Sequence, residues 1–292
     1  MSRIHKEQQS RGRYLPSALA ALFMLFLALA GLMWINEAQA LRLSMKRIIF
    51  EGPKRSDIIT IMNNTAKEQT YRLGWRHYRM DERKSLIHMP EGEPDSSGVK
   101  WADDMIKYAP RRVTVPPGGS QQIRLLLRRP RDLEPGEYRA HLWIVTEIDA
   151  DEFQADSKTP GKQSFKLAMQ PALTLPVFVR HGELSAKATI TEAKVSKADK
   201  GGTISFHLNR EGNRSLYGDL RIVCFASGAE FEASYSRGTA VYPEVKKRIL
   251  EYDFPIPPEQ EANCRKVRIE YIADKEDTLY SGQVMASATA QM

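Results

Sequence analysis

The sequence predicts an all-β protein built from two β-sandwich domains. Short stretches of alternating apolar and polar residues recur along the chain, turn signals separate them, and no long stretch has the periodicity of an amphipathic helix. The 292 residues are 42% hydrophobic and 27% charged, which is the balance of an ordinary folded protein. This composition excludes collagen, a largely disordered chain and a many-pass membrane protein.

The N-terminus has the pattern of a secretory signal peptide. A basic beginning is followed by an apolar run from Leu19 to Ile35 and by Ala38-Gln39-Ala40, a small-residue cleavage site. We therefore predict that residues 1–40 are a cleaved signal peptide and that the protein is exported. The alternative is an uncleaved anchor, because the apolar run is at the lower limit of a membrane span.

The first predicted domain comprises residues 41–182. Its candidate strands are Ile58–Met62, Tyr71–Trp75, Gln121–Arg128, Glu137–Thr146 and a long alternating segment, Phe165–Val179. Only Pro171 interrupts the apolar face of that last segment, so one side of the strand is predicted to be apolar along its length. The stretches Met80–Met105 and Asp149–Gln163 are polar and are expected to form loops.

The second predicted domain comprises residues 183–292, because the composition shifts after His181-Gly182. Its candidate strands are Thr189–Val195, Thr203–Leu208, Asp219–Phe225, Ala240–Tyr242, Arg248–Phe254, Val267–Ile272 and Leu279–Met285. Regular short strands with turns between them favour a β-sandwich here as well.

Catalytic and metal-binding patterns are absent from the sequence. The six histidines form no H-x-H or H-E-x-x-H pair, and no G-x-S-x-G, P-loop or dinucleotide motif occurs. We therefore expect no enzyme activity, no metal, no cofactor and no small-molecule substrate. The net charge of +7 raises the question of nucleic-acid binding. Export argues against nucleic acid, as does the placement of the basic clusters in strand-like and loop contexts among acidic residues.

Cys224 and Cys264 are the two cysteines of the chain. Two cysteines cannot build a disulfide-dense scaffold or a cysteine-based zinc site. In an oxidising compartment they are expected to form a disulfide. The alternative is a pair of buried free thiols.

Segments of the first domain occur in a distinctive order: Lys46–Gly52, Ile59–Asn64, Tyr71–Trp75, Tyr108–Gly118 with Gln121–Leu125, Gly136–Leu142 and Leu175–Gly182. Together they resemble the PapD-like periplasmic chaperones of chaperone–usher pilus assembly, in their archaic branch. The resemblance implies two immunoglobulin-like sandwiches and a periplasmic location. It also implies a chaperone that binds pilin-like subunits and delivers them to an outer-membrane usher without ATP or a cofactor.

The resemblance also implies a mode of binding. Such chaperones lend a strand to a subunit whose own sandwich lacks one, a form of β-augmentation. Phe165, Leu167 and Met169 match the donated apolar side chains. The alternative is that these three residues belong to the core of the sandwich.

Further site residues follow from the same resemblance. Arg47 matches an arginine that grips the C-terminal carboxylate of the subunit, but the lysine that accompanies it has no match, since Thr174 or Pro176 stands at its position. Arg180 and Glu137 match a charge network between the domains, for which Asp274 is the expected acid of the second domain. A long apolar edge makes self-association through the donor strand plausible.

A different class of function is left open by the missing lysine and by the weaker match of the second domain. The same sandwiches would serve a non-enzymatic envelope-binding or adhesive protein, or a sensor ectodomain. A carbohydrate-active enzyme on a β-sandwich is a further alternative, although no carboxylate pair in the sequence supports one.

Overall fold

The computed structural model describes residues 42–90, 96–148, 170–198, 200–226, 229–257 and 264–292. The predicted signal peptide and the predicted donor residues Phe165, Leu167 and Met169 lie outside the described residues. In the described ranges every regular element except one 3-10 turn is a β-strand, and this confirms the all-β prediction. No helix in these ranges has the length and apolar character that a membrane crossing requires.

Ten strands and one 3-10 turn precede residue 182 in the described ranges. They are β1 (Arg42–Leu43), β2 (Ile48–Phe50), β3 (Ser56–Met62), β4 (Gln69–Asp81), β5 (Ser85–Met89), the turn Asp103–Met105, β6 (Ile106–Ala109), β7 (Arg112–Val115), β8 (Ser120–Leu127), β9 (Gly136–Thr146) and β10 (Ala172–His181).

These ten strands form the first sandwich. One sheet has the order β1-β3-β8-β6, and the other has the order β2-β10-β9-β4-β5, with β7 paired to β4. Alternation places one side of each strand in a shared core that includes Ile59, Leu125, Leu142 and Val177, all of them fully buried.

Seven strands form the second sandwich. They are β11 (Ala186–Ala198), β12 (Gly201–Gly212), β13 (Leu216–Ala226), β14 (Ala229–Val241), β15 (Lys247–Pro255), β16 (Lys266–Ala273) and β17 (Val284–Gln291). The sheet β11-β12-β15 packs on the sheet β14-β13-β16-β17 around a separate core that includes Phe206, Leu208 and Tyr271.

The two cysteines are joined in the second core. Cys224 on β13 and Cys264 just before β16 form a disulfide with their Cα atoms 5.7 Å apart, and both side chains are buried. The predicted pairing is therefore confirmed.

Two details of the strand assignment differ from the sequence prediction. The predicted strand Leu279–Met285 is wrong, because the chain turns until β17 begins at Val284. The carboxylate of Asp277 accepts the backbone N–H groups of Leu279 and Tyr280, which stabilises the turn instead of a strand. β5 lies within a stretch that was predicted to be loop-like, and it pairs with the end of β4.

Replacing both cysteines by serine should destabilise the protein. The disulfide closes a loop with a sequence separation of 40, and on the chain-entropy model its loss costs about 4 kcal/mol. Urea unfolding of the double variant against the wild type measures this difference. An unchanged midpoint would mean that the crosslink contributes nothing to the stability of the second sandwich.

Candidate functional site

β10 is paired on both sides over only part of its length. The whole strand pairs antiparallel with β9, whereas β2 pairs in parallel with Val177–Val179 alone. Among the described strands none occupies the other side of Ala172–Pro176, which we call the open edge. A free strand edge exposes unpaired backbone N–H and C=O groups and is a template for a further strand.

The course of the first strands explains why the open edge exists. β1 pairs with β3 in one sheet, and after a short connection β2 pairs with β10 in the other sheet. Because the N-terminal segment is divided between two sheets, β2 has only three residues. It therefore covers the end of β10 and leaves the start of that strand uncovered.

The side chains of β10 divide cleanly between two faces. Leu175, Val177 and Val179 are buried in the first core. On the other face Phe178 packs with Met80 against Tyr242 of the second sandwich, and the rings of Phe178 and Tyr242 lie 5.7 Å apart. We call this second face, which turns toward the second sandwich, the cleft face.

Arg47 precedes β2 and contacts the second sandwich. Its Nη2 lies 3.3 Å from Oδ1 of Asp274, and its guanidinium lies 3.9 Å from the ring centroid of Tyr217. Its side chain is only 5% exposed. The structure thus pairs Arg47, the predicted anchor for the carboxylate of the subunit, with Asp274, which was expected to contact Arg180 and Glu137. Thr174 and Pro176, at the position of the missing lysine, carry no charge.

Arg180 and Glu137 form a buried ion pair. Nε of Arg180 donates to Oε2 of Glu137 at 3.0 Å, and each side chain is at most 2% exposed. The same carboxylate accepts the backbone N–H and the hydroxyl of Ser215 from the second sandwich, at 3.1 and 2.9 Å. Ser215, which the sequence analysis did not single out, is therefore the direct partner of this pair in the second sandwich.

A second buried ion pair between the sandwiches was not predicted. Nη2 of Arg139 donates to Oε1 of Glu244 at 2.7 Å, and both side chains are 3% exposed. Glu244 also accepts the backbone N–H of Met80 at 2.7 Å, and the Arg139 guanidinium lies 4.0 Å from the ring centroid of Tyr242. Complete burial raises the pKa of Tyr242 to about 12, so its hydroxyl is neutral at physiological pH.

A small pocket lies beside this ion pair. It has a volume of about 170 Å³ and is lined in part by Lys100, Glu137, Arg139 and Glu244. Small-molecule sites usually measure roughly 300–1,000 Å³, so the pocket gives no support for a drug-sized ligand. In the part of the chain that the structure describes, no three His, Cys, Asp or Glu side chains are grouped to hold a metal.

No family model and no curated protein matches this sequence. Similar solved structures include the CupB2 chaperone of Pseudomonas aeruginosa, with 14% identity, a TM-score of 0.42 and coverage of 86% of this chain and 98% of that chain. CsuC from the archaic Csu pili of Acinetobacter baumannii, solved with the tip subunit CsuE, has 10% identity, a TM-score of 0.43 and coverage of 86% and 98%. The class 5 fimbriae chaperone CfaA has 10% identity, a TM-score of 0.41 and coverage of 86% and 98%.

All three similar structures are of chaperones, two of them from fimbriae or pili. The described strands confirm the predicted pair of β-sandwiches, each with its own core. The identities are 14% or less and the TM-scores are below 0.5, so the function rests on the contacts of this chain itself.

Truncating Glu244 to alanine should destabilise the protein strongly. The change leaves the Arg139 guanidinium buried without a counter-charge, and breaking a buried pair costs about 3–5 kcal/mol. A matched control is Glu230→Ala, which removes one of two carboxylates that pair with Arg268, in a pair whose side chains are 27% and 49% exposed. The control should cost about 1 kcal/mol or less. Equal losses in urea unfolding would contradict the structural role of Glu244.

Proposed function

We propose that this protein is a periplasmic, non-enzymatic chaperone that binds pilin-like subunits by donor-strand complementation and delivers them to an outer-membrane usher. The open edge of β10 is the observation that carries the proposal. A subunit that lacks a strand and a chaperone that offers an unpaired strand edge satisfy each other's backbone hydrogen bonds. No cofactor takes part in this exchange.

The geometry limits where a strand of the bound subunit, which we call the client, can pair. β2 already occupies the same side of β10 from Val177 onward. A client strand added at the open edge must therefore end near Pro176, next to Arg47. Pro176 has no N–H to donate, so hydrogen bonding to the backbone of β10 also weakens at this point.

The donor side chains precede the open edge in the same alternating sequence. Phe165, Leu167 and Met169 are proposed to fill the groove of the client, and Leu173 and Leu175 continue the pattern into the chaperone core. Each apolar side chain that becomes fully buried contributes roughly 1.5–3 kcal/mol. Three such residues would therefore supply a large part of the binding free energy.

The donor residues can be tested by replacing Phe165, Leu167 and Met169 together with serine. The variant should lose most of its client, because the client groove then stays unfilled. The measurement is the amount of subunit that copurifies with the tagged protein from periplasm, identified by mass spectrometry. The matched control replaces three exposed apolar residues elsewhere, Leu126, Leu279 and Val284, with serine. Equal client recovery from both triple variants would reject the donor role.

Arg47 can be tested separately as an anchor for the client. Arg47→Ala should lower client recovery if the guanidinium grips a client carboxylate, because a charge-assisted hydrogen bond is lost. Asp274→Asn removes the in-chain carboxylate but leaves the guanidinium in place, so client recovery should be retained. Arg42→Ala, an exposed arginine on β1, controls for loss of charge. Equal losses in the Arg47 and Asp274 variants would show that Arg47 acts only by joining the two sandwiches.

A further inference from the structure

Arginines on the cleft face differ in whether the chain supplies them with a carboxylate. Arg47, Arg139 and Arg180 are each paired, with Asp274, Glu244 and Glu137 respectively. Arg72 and Arg76 project from β4 on the same face. Among the described residues no carboxylate lies within 4.0 Å of either guanidinium.

The two unpaired arginines are held by an aromatic ring. The Arg76 guanidinium lies 4.0 Å from the ring centroid of Trp143 on β9, and that of Arg72 lies 6.0 Å from it. Gly74 stands opposite Trp143 in the β4–β9 register. Stacking orients a guanidinium and leaves its N–H edge available to a partner. We call these three side chains the arginine–tryptophan stack.

The stack lies next to the open edge. Trp143 pairs in register with Thr174, in the middle of the open edge, and Arg76, His141 and Pro176 form one row across β4, β9 and β10. Trp143 and Arg76 are partly exposed and Arg72 is exposed. A protein that pairs with the open edge therefore has a surface within reach of the stack.

The described side chains around the stack include one acid, Glu147, which acts on Arg72 at longer range and is already paired with Arg112 at 2.8 Å. Nη1 of Arg76 lies 3.3 Å from Nε2 of His88. His141 is 1% exposed, and neither of its ring nitrogens has a hydrogen-bond partner among the described residues. Burial and the nearby Arg139 lower the pKa of His141 to about 3, so this imidazole is neutral at physiological pH. Within 4.0 Å the described residues thus leave Arg76 without a counter-charge, and Glu147 offsets only part of the charge of Arg72.

We propose that the arginine–tryptophan stack binds an acidic segment of the client protein that pairs with the open edge. The inference rests on the proposed function, since the acidic segment is taken to belong to that client. A carboxylate is the group that matches two unpaired guanidinium edges, and Arg–carboxylate pairs are short and geometrically specific. Seating the client would exclude water from the partly buried ring and strengthen the attraction.

The test uses the full chain and a probe of defined chemistry. Acetylated and amidated pentaglutamate is titrated while the ¹⁵N NMR signal of the Trp143 indole, assigned with Trp143→Phe, is followed. A saturable shift is expected with pentaglutamate and none with pentaglutamine. Arg76→Gln should weaken pentaglutamate binding about tenfold, the size of one lost charged hydrogen bond. Arg76→Lys, which keeps the charge but not the stacking, should fall between Arg76→Gln and the wild type.

Arg268→Gln is the matched control, because Arg268 lies on β16 of the second sandwich and is already paired with Glu230 at 2.9 Å. It should leave the titration unchanged. The inference is overturned if pentaglutamate gives no saturable shift, or if Arg76→Gln binds it as tightly as the wild type. Neither result would contradict the proposed function, because that function depends on the open edge and not on the stack.

The client is tested with the double variant Arg72→Gln/Arg76→Gln in the periplasmic copurification. Its client recovery should fall below that of Arg268→Gln. Undiminished recovery, with pentaglutamate binding lost, would overturn the assignment of the acidic segment to the client. Failure of the proposed function has a different signature: the donor-strand triple variant would retain its client whatever the stack variants do.

Discussion

The structure depends on how the two sides of β10 are shared. One side is paired with β9 along the whole strand, and the other is given to the short strand β2 for three residues only. The alternating side chains fix one face in the first core and the other against the second sandwich. Both faces of β10 are packed, and one of its edges is paired with β9. The other edge at Ala172–Pro176 is therefore available for new backbone hydrogen bonds.

The second sandwich is held against β10 and its neighbours by buried ion pairs together with the apolar cluster of Met80, Phe178 and Tyr242. Arg180 with Glu137 and Ser215, Arg139 with Glu244, and Arg47 with Asp274 all join the two sandwiches. Buried ion pairs contribute little net stability because of the cost of desolvation, but removing one partner is expensive. Such a network fixes the relative position of two surfaces and so presents the cleft face in one arrangement.

Much of the fold was predictable because period-two alternation is a local property. Apolar residues at alternate positions predict a half-buried strand from the local sequence alone, as Ile59 and Ile61 or Leu175 and Val177 do. β5 was missed because its sequence, Ser85–Met89, lies within a polar stretch, and the strand forms by pairing with β4. The turn after Asp277 was missed because Leu279 and Tyr280 are typical strand residues, while the Asp277 carboxylate, two and three residues earlier, accepts their N–H groups.

The site was predictable only in part, because alternation tells which face a residue occupies but not what lies opposite. Arg180 and Glu137 are register neighbours on adjacent strands, so their contact follows from the strand pairing. Whether Ser215 or Asp274 of the second sandwich reaches Glu137 depends on how the two sandwiches pack against each other. The partner of Arg139, Glu244, is distant in sequence for the same reason. No local pattern carries that information.

The most direct test of the account is amide hydrogen exchange of β10 in the free protein and in its complex with the copurified subunit. Backbone N–H groups along this segment alternate between β9 and the open edge. Because the N–H of Thr146 donates to the carbonyl of Pro171 at 3.1 Å, the amides of Leu173 and Leu175 face β9, those of Ala172 and Thr174 face the open edge, and Pro176 has none. The account predicts that protection of Ala172 and Thr174 rises on client binding, while Val177–Val179, already between β2 and β9, changes little. Unchanged exchange at Ala172 and Thr174 in a stable complex would contradict strand addition at this edge.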